Sequence, residues 1–379
     1  MNKKFIHILF IIFLFFSTGL AQNTQSKVDA TFPQPKIKFS PKSYICYRTD
    51  KPINVDGKIN ESAWSKVRWT DYFEDIQGNL KPMPRYKTRV KMLWDNKYLY
   101  VAAEIQEPNL WATLRQRDTV IFYNNDFEVF IDPNGDTYDY YELEMNALKT
   151  AWDLLLLRPY RDAQPGQNVA INGFDETGLK IGVELNGTLN NPSDKDKGWN
   201  LEVAMPWNIL KECAPNGLPP KAGDQWRINF SRVEWRLHSV NGKYEKVINP
   251  ATNKPYPEDN WVWSPQGIIN MHYPEMWGFI QFSNKVAGTG TDKFVVYPKE
   301  KAKWALRKVY YNERTYFMNN GKYTNDIDKL NLQNYKVPGY NWPPTVELTQ
   351  HNYEADLKSK DGNITIIITN DGQVLVQKK

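Results

Sequence analysis

The sequence predicts an all-β protein, an antiparallel β-sandwich followed by a small α+β unit. Three observations carry this. Short segments with hydrophobic period two recur between turn residues through the middle of the chain, long helical patterns are missing between them, and the pattern changes after Lys285. Many short strands without crossover helices favour a sandwich or barrel over a parallel α/β sheet.

In chain order, Lys3 and Lys4 precede an apolar run from Phe5 to Phe16, and small residues from Ser17 to Ala21 stand before Gln22. Residues 1–21 therefore read as a secretory signal, leaving a secreted or periplasmic mature chain. The apolar run is shorter than the roughly 20 residues a membrane span needs, and no later segment approaches that length. Gln22 stands where a lipoprotein would place a cysteine, which argues against a lipid anchor by that route. Residues 22–50 form a leader, Lys- and Pro-bearing without periodicity between Val28 and Ser43, either laid over the surface or disordered. The sandwich is expected over residues 51–285. Its strands are Thr88 to Leu93, Tyr98 to Ile105, Phe127 to Ile131, Tyr140 to Met145, Leu179 to Leu185, Trp199 to Met205, Gln225 to Val233 and Gly278 to Phe282. In the Trp199 segment, Trp199, Leu201, Val203 and Met205 share one face, as in a half-buried antiparallel strand. Residues 286–379 open on a turn-rich linker from Val286 to Asp292. A helical stripe follows from Lys299 to Met318, closed by Asn319-Asn320-Gly321, and a hairpin pairs Ile364 to Ile368 with Val374 to Val376.

Composition narrows the function classes. The chain has 379 residues, 41% hydrophobic and 24% charged, with 17 Phe, 14 Trp and 22 Tyr, enough for a full core. A net charge of +5, two of it from Lys3 and Lys4, is too weak for a nucleic-acid partner, which needs a clustered basic face. Cys46 and Cys213 either pair or stand as isolated buried thiols.

The segment Pro52-Ile53-Asn54-Val55-Asp56-Gly57-Lys58-Ile59-Asn60-Glu61-Ser62-Ala63-Trp64 resembles the opening signature of the family 9 carbohydrate-binding modules. Leu93-Trp94-Asp95 with Tyr98 to Val101, Asn125 to Asp132, Trp199 to Trp207, and Trp226 to Arg232 agree in order and spacing. The resemblance covers about Lys51 to Ser283. It implies a DOMON-like β-sandwich of two antiparallel sheets, binding at the ends of poly- or oligosaccharide chains, and calcium as a structural ion. It also implies a sugar contact at Glu128, a tryptophan shortly before the strand that carries it, and another near the end of the domain. Phe122 and Tyr123 occupy the first aromatic region in place of tryptophan, with Trp111 on the preceding loop as a substitute; Trp261 and Trp263 occupy the second.

Sugars present flat C-H faces and hydroxyl edges, so a site needs aromatic plates beside planar hydrogen-bonding groups. Burying about 100 Å² of a plate contributes about 2.5 kcal/mol, so two plates bring about 5 kcal/mol before association costs. Trp64, Trp94, Trp199 and Trp226 are assigned to packing, while Trp261 and Trp263 suit either site or core. Strand alternation puts Glu128 opposite Phe127 and Val129, and Glu142, Glu144 and Asn146 opposite Tyr141, Leu143 and Met145. Glu128, Glu144, Asn146, Arg232 and Glu234 thus form either the polar side of a sugar site or a solvated face of cross-strand Arg/Glu pairs. Asp132, Asn134 and Asp136 offer oxygens in the order of a calcium loop, but Thr137 replaces the Gly of an EF-hand, so a self-capping turn competes with calcium.

Two other classes stay open. A Glu128/Glu144 pair could hydrolyse O-glycosyl bonds. Met145, Met205, Met271 or His272 could ligate haem, as in some DOMON-like domains. The serine-hydrolase elbow, the zinc-protease motif and the phosphate loop are absent from the sequence. The combined reading is a non-catalytic carbohydrate-binding protein that requires no cofactor beyond optional calcium and works alongside separate glycoside hydrolases.

Overall fold

The structure, a computed structural model, describes residues 30–175, 177–214 and 217–379, so the signal reading of residues 1–21 lies outside the described residues. Among the described residues no helix is long and apolar enough to cross a membrane. The strands are β1 (Ser43–Arg48), β2 (Thr88–Trp94), β3 (Tyr98–Gln106), β4 (Asp126–Asp132), β5 (Tyr140–Asn146), β6 (Ala151–Leu156), β7 (Lys180–Asn186), β8 (Gly198–Pro206), β9 (Gln225–Glu234), β10 (Asp259–Val262) and β11 (Gly278–Val286). With the two-residue strands Glu74–Asp75 and Ala170–Ile171 they form a 13-stranded sheet whose main path runs β6-β5-β4-β9-β11-β1-β2-β3-β8-β7, with β10 beside β9.

The path folds over itself as a β-sandwich because each strand hides one side. Val90, Met92, Val101, Leu201 and Val203 from one half meet Phe127, Val129, Leu143, Ile228 and Phe230 from the other in one buried cluster. Trp64, Trp94, Trp199 and Trp226 are all buried. The opening signature owes its residue types to Glu202: one of its oxygens accepts the Trp64 indole N–H at 2.8 Å and the other the Gly57 amide at 2.8 Å. Gly57 has φ +91° and passes so close to β7 that a Cβ would meet the Glu184 nitrogen at 2.4 Å.

The expected leader boundary needs correction, since Ser43–Arg48 is a central strand. It pairs parallel with both β11 and β2, an exception to the antiparallel arrangement expected throughout. Only Tyr44 and Cys46 alternate inward there, a pattern too short to stand out in sequence. Before it, Phe32 is buried against the C-terminal unit and the Ala30 amide donates to the Asn319 side chain at 2.9 Å. Cys46 and Cys213 are free, buried thiols and do not pair.

Helix α1 (Pro298–Asn320) starts with proline at its first position and ends at Gly321, whose left-handed φ of 69° lets its amide reach the Phe317 carbonyl at 2.8 Å. The helix packs Leu306, Val309 and Tyr310 against Ala355, Ile366 and Ile368 of a sheet of β12 (Thr345–Leu348), β13 (Tyr353–Lys358), β14 (Ile364–Thr369) and β15 (Val374–Lys378). Buried polar bonds dock this unit on the sandwich: Arg227 to Glu300 at 3.1 Å, Arg307 to the Thr137 hydroxyl at 3.0 Å, and the Val374 amide to the Asp136 carbonyl at 3.1 Å.

Candidate functional site

Two cross-strand rows on the outer face of β9, β4, β5 and β6 build the site. One row places Ser231, Glu128, Glu144 and Trp152 side by side; the next places Asn229, Phe130, Glu142 and Leu154. Directly opposed residues on one face bring their Cβ atoms to about 5 Å, so three glutamates crowd into a patch a few ångströms wide. Asp126 adds a fourth carboxyl, giving one oxygen to the Val233 amide at 3.2 Å.

This face is not the solvated surface that alternation alone suggests. The turn Ile121–Tyr123 and the segment through Glu258, Asn260 and His272 rise around it and leave a cleft of about 420 Å³. Glu128, Glu142 and Glu144 line the floor, with Phe122, Trp152 and Tyr160 as aromatic walls. Tyr160 keeps 45% of its surface exposed, whereas Glu128 keeps 4%. The Phe122 amide donates to Glu144 at 3.0 Å and so ties the rim to the floor. His272 stays neutral, its pKa pushed down to about 3 by burial and the neighbouring Arg161, and it bonds the Tyr140 hydroxyl at 2.9 Å.

Burial sets the charge of the cleft. It raises the Glu128 carboxyl to about 7, with Glu258 adding repulsion. Burial first, then the charge of Glu128, lifts Asp126, Glu142 and Glu144 well above the usual carboxylate range. Carboxyls held above their usual range keep their protons to higher pH than free ones, and a protonated carboxyl both donates and accepts hydrogen bonds, as a sugar hydroxyl does. One oxygen each of Asp126 and Glu128, and the Trp152 indole N–H, are buried without a partner. Asp126, Glu128 and Glu144 each offer an oxygen within 4.8 Å of the others, a grouping that could hold a cation only by displacing those protons.

The predicted residues divide sharply. Glu128, Glu144 and Phe122 line the cleft; Tyr123 is exposed beside it, and Trp111 and Tyr123 flank the Lys246 ammonium at 5.8 and 5.7 Å. Asn146 is a positioning residue rather than a contact, because its carbonyl accepts the Leu148 and Thr150 amides at 3.0 and 3.1 Å and closes the turn after β5. Arg232 and Glu234 face away from the cleft, since period two turns Ser231 and Val233 outward on β9. Arg232 bonds Glu107 at 2.8 Å and Glu234 at 2.7 Å in a fully buried triad. Trp261 packs beneath Arg232 at 5.2 Å and Trp263 against Phe230 at 5.9 Å, so the reading of either as an exposed plate is corrected: both are core. Sequence reasoning missed Trp152, Tyr160 and Glu258; Trp152 shows as an outward position of β6 once the strand is known, whereas the others depend on loop placement.

Calcium at Asp132, Asn134 and Asp136 does not fit. Asp132 accepts the Gly135 and Thr137 amides at 2.7 and 3.0 Å, Asn134 accepts the Asp136 amide at 3.0 Å, and Asp136 accepts the Tyr138 amide at 2.8 Å. The Lys303 ammonium, 2.9 Å from the Gly135 carbonyl, already supplies the positive charge. The haem donors diverge: Met145 and Met205 lie in the sandwich interior, while Met271 belongs to a separate outer cluster.

Residues 55–219 match the family model described as Carbohydrate family 9 binding domain-like, and this stretch includes β2 through β8 with the floor of the cleft. The chain is similar to Exoglucanase XynX of Acetivibrio thermocellus, 28% identical over 157 residues that cover 41% of this chain and 12% of that protein. It thus spans a small part of that relative's length. Among solved structures, one from Bacteroides uniformis is 15% identical with TM-score 0.47, over 64% of this chain and 100% of that one. A carbohydrate binding module family 9 from Caldicellulosiruptor kristjanssonii, in complex with cellotriose, is 14% identical with TM-score 0.40, over 66% of this chain and 100% of that one.

Proposed function

We propose that this chain, carbohydrate family 9 binding domain-like over residues 55–219, is a non-catalytic carbohydrate-binding protein that holds a neutral poly- or oligosaccharide in the cleft above β4, β5 and β6. The observation that carries the reading is the combination of an exposed Tyr160 and partly exposed Phe122 as aromatic walls with a floor of buried carboxyls whose pKa values burial raises. Tyr160 and Phe122 supply flat apolar surface for a pyranose, while Glu128, Glu144 and the Trp152 N–H supply the partners its hydroxyls lose on leaving water. Two plates at about 2.5 kcal/mol each, less association costs, fit binding between micromolar and millimolar. A glucan-type ligand is the first candidate, since the similar stretch occurs in a protein named an exoglucanase.

Glycosidic hydrolysis by Glu128 and Glu144 is disfavoured by their electrostatics. A retaining or inverting pair needs environments that push the two pKa values apart, one group protonated and one ionised. Here burial drives both upward. The reading extends to a secreted or periplasmic role in polysaccharide capture, with bond cleavage left to separate glycoside hydrolases. Calorimetric titration of the protein with glucose, cello-oligosaccharides and xylo-oligosaccharides tests it, beside Tyr160→Ala and incubation of labelled oligosaccharides. Saturable binding, weakened about tenfold or more in the variant and without shortened products, supports the proposal. Failure of every glycan to bind, or the appearance of shortened products, overturns it.

A further inference from the structure

A second concavity, lined by lysines where the cleft is lined by carboxyls, lies between residues 35–39, one side of α1 and residues 335–338, and encloses about 650 Å³. Lys36, Lys38, Lys301, Lys308 and Lys336 line it, and no Asp or Glu does. The lysines found in ion pairs among the described residues are Lys42, Lys58, Lys285, Lys303 and Lys329, none of them in this groove. Five lysines from three separate segments thus line one concavity, with no carboxylate among the residues that line it. Their summed field concentrates anions in the groove. Burial with no carboxylate beside it lowers the Lys308 pKa, which marks how little compensation the groove supplies.

The same groove has an aromatic floor. Phe39 stacks on Trp304 with ring centroids 4.5 Å apart and planes 13° from parallel, and the Lys308 ammonium lies 5.1 Å from the Trp304 ring. Lys301, Trp304 and Lys308 follow helical spacing, so α1 presents charge, ring and charge along one side. Tyr335, partly exposed, forms the opposite wall. A flat lipid surface needs a flat or convex basic face, whereas this concavity has the size of a small-ligand site. Rings beside ammonium groups match a ligand that alternates C-H faces with carboxylates.

We propose that this groove binds a uronic-acid oligosaccharide, an anionic glycan segment whose carboxylates meet the five lysines while a pyranose face rests on the partly exposed rings of Phe39 and Tyr335, Trp304 backing Phe39 from the core. The chain would then hold two glycans of different charge at separate sites. The test titrates the full chain with tetragalacturonate and with its uncharged galactose counterpart, at low and at near-physiological salt. Lys301→Glu/Lys308→Glu alters the helix side and Lys36→Gln/Lys38→Gln the opposite segment, so misfolding of one variant leaves the other informative.

Tetragalacturonate is expected to bind at least about tenfold tighter than the uncharged chain, to weaken with salt, and to lose about tenfold in either variant. Neutral-glycan affinity in the carboxyl-lined cleft is expected to stay unchanged in both variants, which separates this proposal from the preceding one. Equal affinity for charged and uncharged chains, or unchanged uronate binding in a folded variant, overturns the proposal. Equal competition by poly-glutamate or by anionic lipid vesicles also overturns it, by assigning the groove to a peptide or a membrane.

Discussion

Replacing Glu128 by Gln should stabilise the protein on the alkaline side and flatten its pH dependence. In the folded chain burial raises the Glu128 carboxyl from 4.5 to about 7. A group whose folded pKa lies above its unfolded value contributes stability that is fully present below about 4.5 and is lost as pH rises through about 7. At about 1.36 kcal/mol for each pH unit of that gap, ionised Glu128 costs the fold about 3 kcal/mol. Gln keeps the shape and never ionises. Removing the charge also relieves Glu142 and Glu144, both raised partly by Glu128, which acts in the same direction. Urea denaturation midpoints of wild type and Glu128→Gln, measured from about pH 5 to about pH 8.5, provide the assay. The two proteins should agree within about 1 kcal/mol at the acid end, with the variant ahead by about 3 kcal/mol at the alkaline end. Parallel pH curves, or a variant less stable at alkaline pH, would refute the argument that Glu128 is buried and uncompensated.

The Glu107–Arg232–Glu234 triad should behave as structure. Arg232→Met strands two buried carboxylates and should lower stability by about 3–5 kcal/mol in chemical denaturation while the folded fraction keeps its sugar affinity. Trp263→Ala, at a side chain 1% exposed, should cost about 3–5 kcal/mol and likewise spare binding, in contrast to an exposed plate. At Gly278 an added methyl would meet a Trp263 ring carbon at 2.4 Å, so Gly278→Ala should destabilise by about 1–3 kcal/mol, read as a lower thermal midpoint.

Alternation made most of the sandwich legible, because strands such as Trp199 to Met205 turn an apolar row inward, even where, as here, the other side is covered too: Glu202 and Ala204 lie under the opening signature. It failed at β6, Ala151-Trp152-Asp153-Leu154-Leu155-Leu156, where apolar residues on both sides erase the period-two pattern. Glu128 and Glu144 could be placed on one outer face from sequence, since register follows from that alternation. Whether that face met water could not, because its cover comes from Tyr160 and Glu258, distant in sequence and positioned by tertiary packing. Trp261 and Trp263 illustrate the same limit. Period two puts both rings on one side of an extended stretch, and both do join the interior cluster, but only the assembled sheet shows that this side is the inner one.

A crystal grown with cellotriose or xylotriose tests the central claim most directly. A pyranose is expected in the cleft, its face against Tyr160 or Phe122 and its hydroxyls within hydrogen-bond distance of Glu128 and Glu144. Sugar seated instead beside the Arg232 triad, or a cleft left empty at saturating ligand, would contradict it.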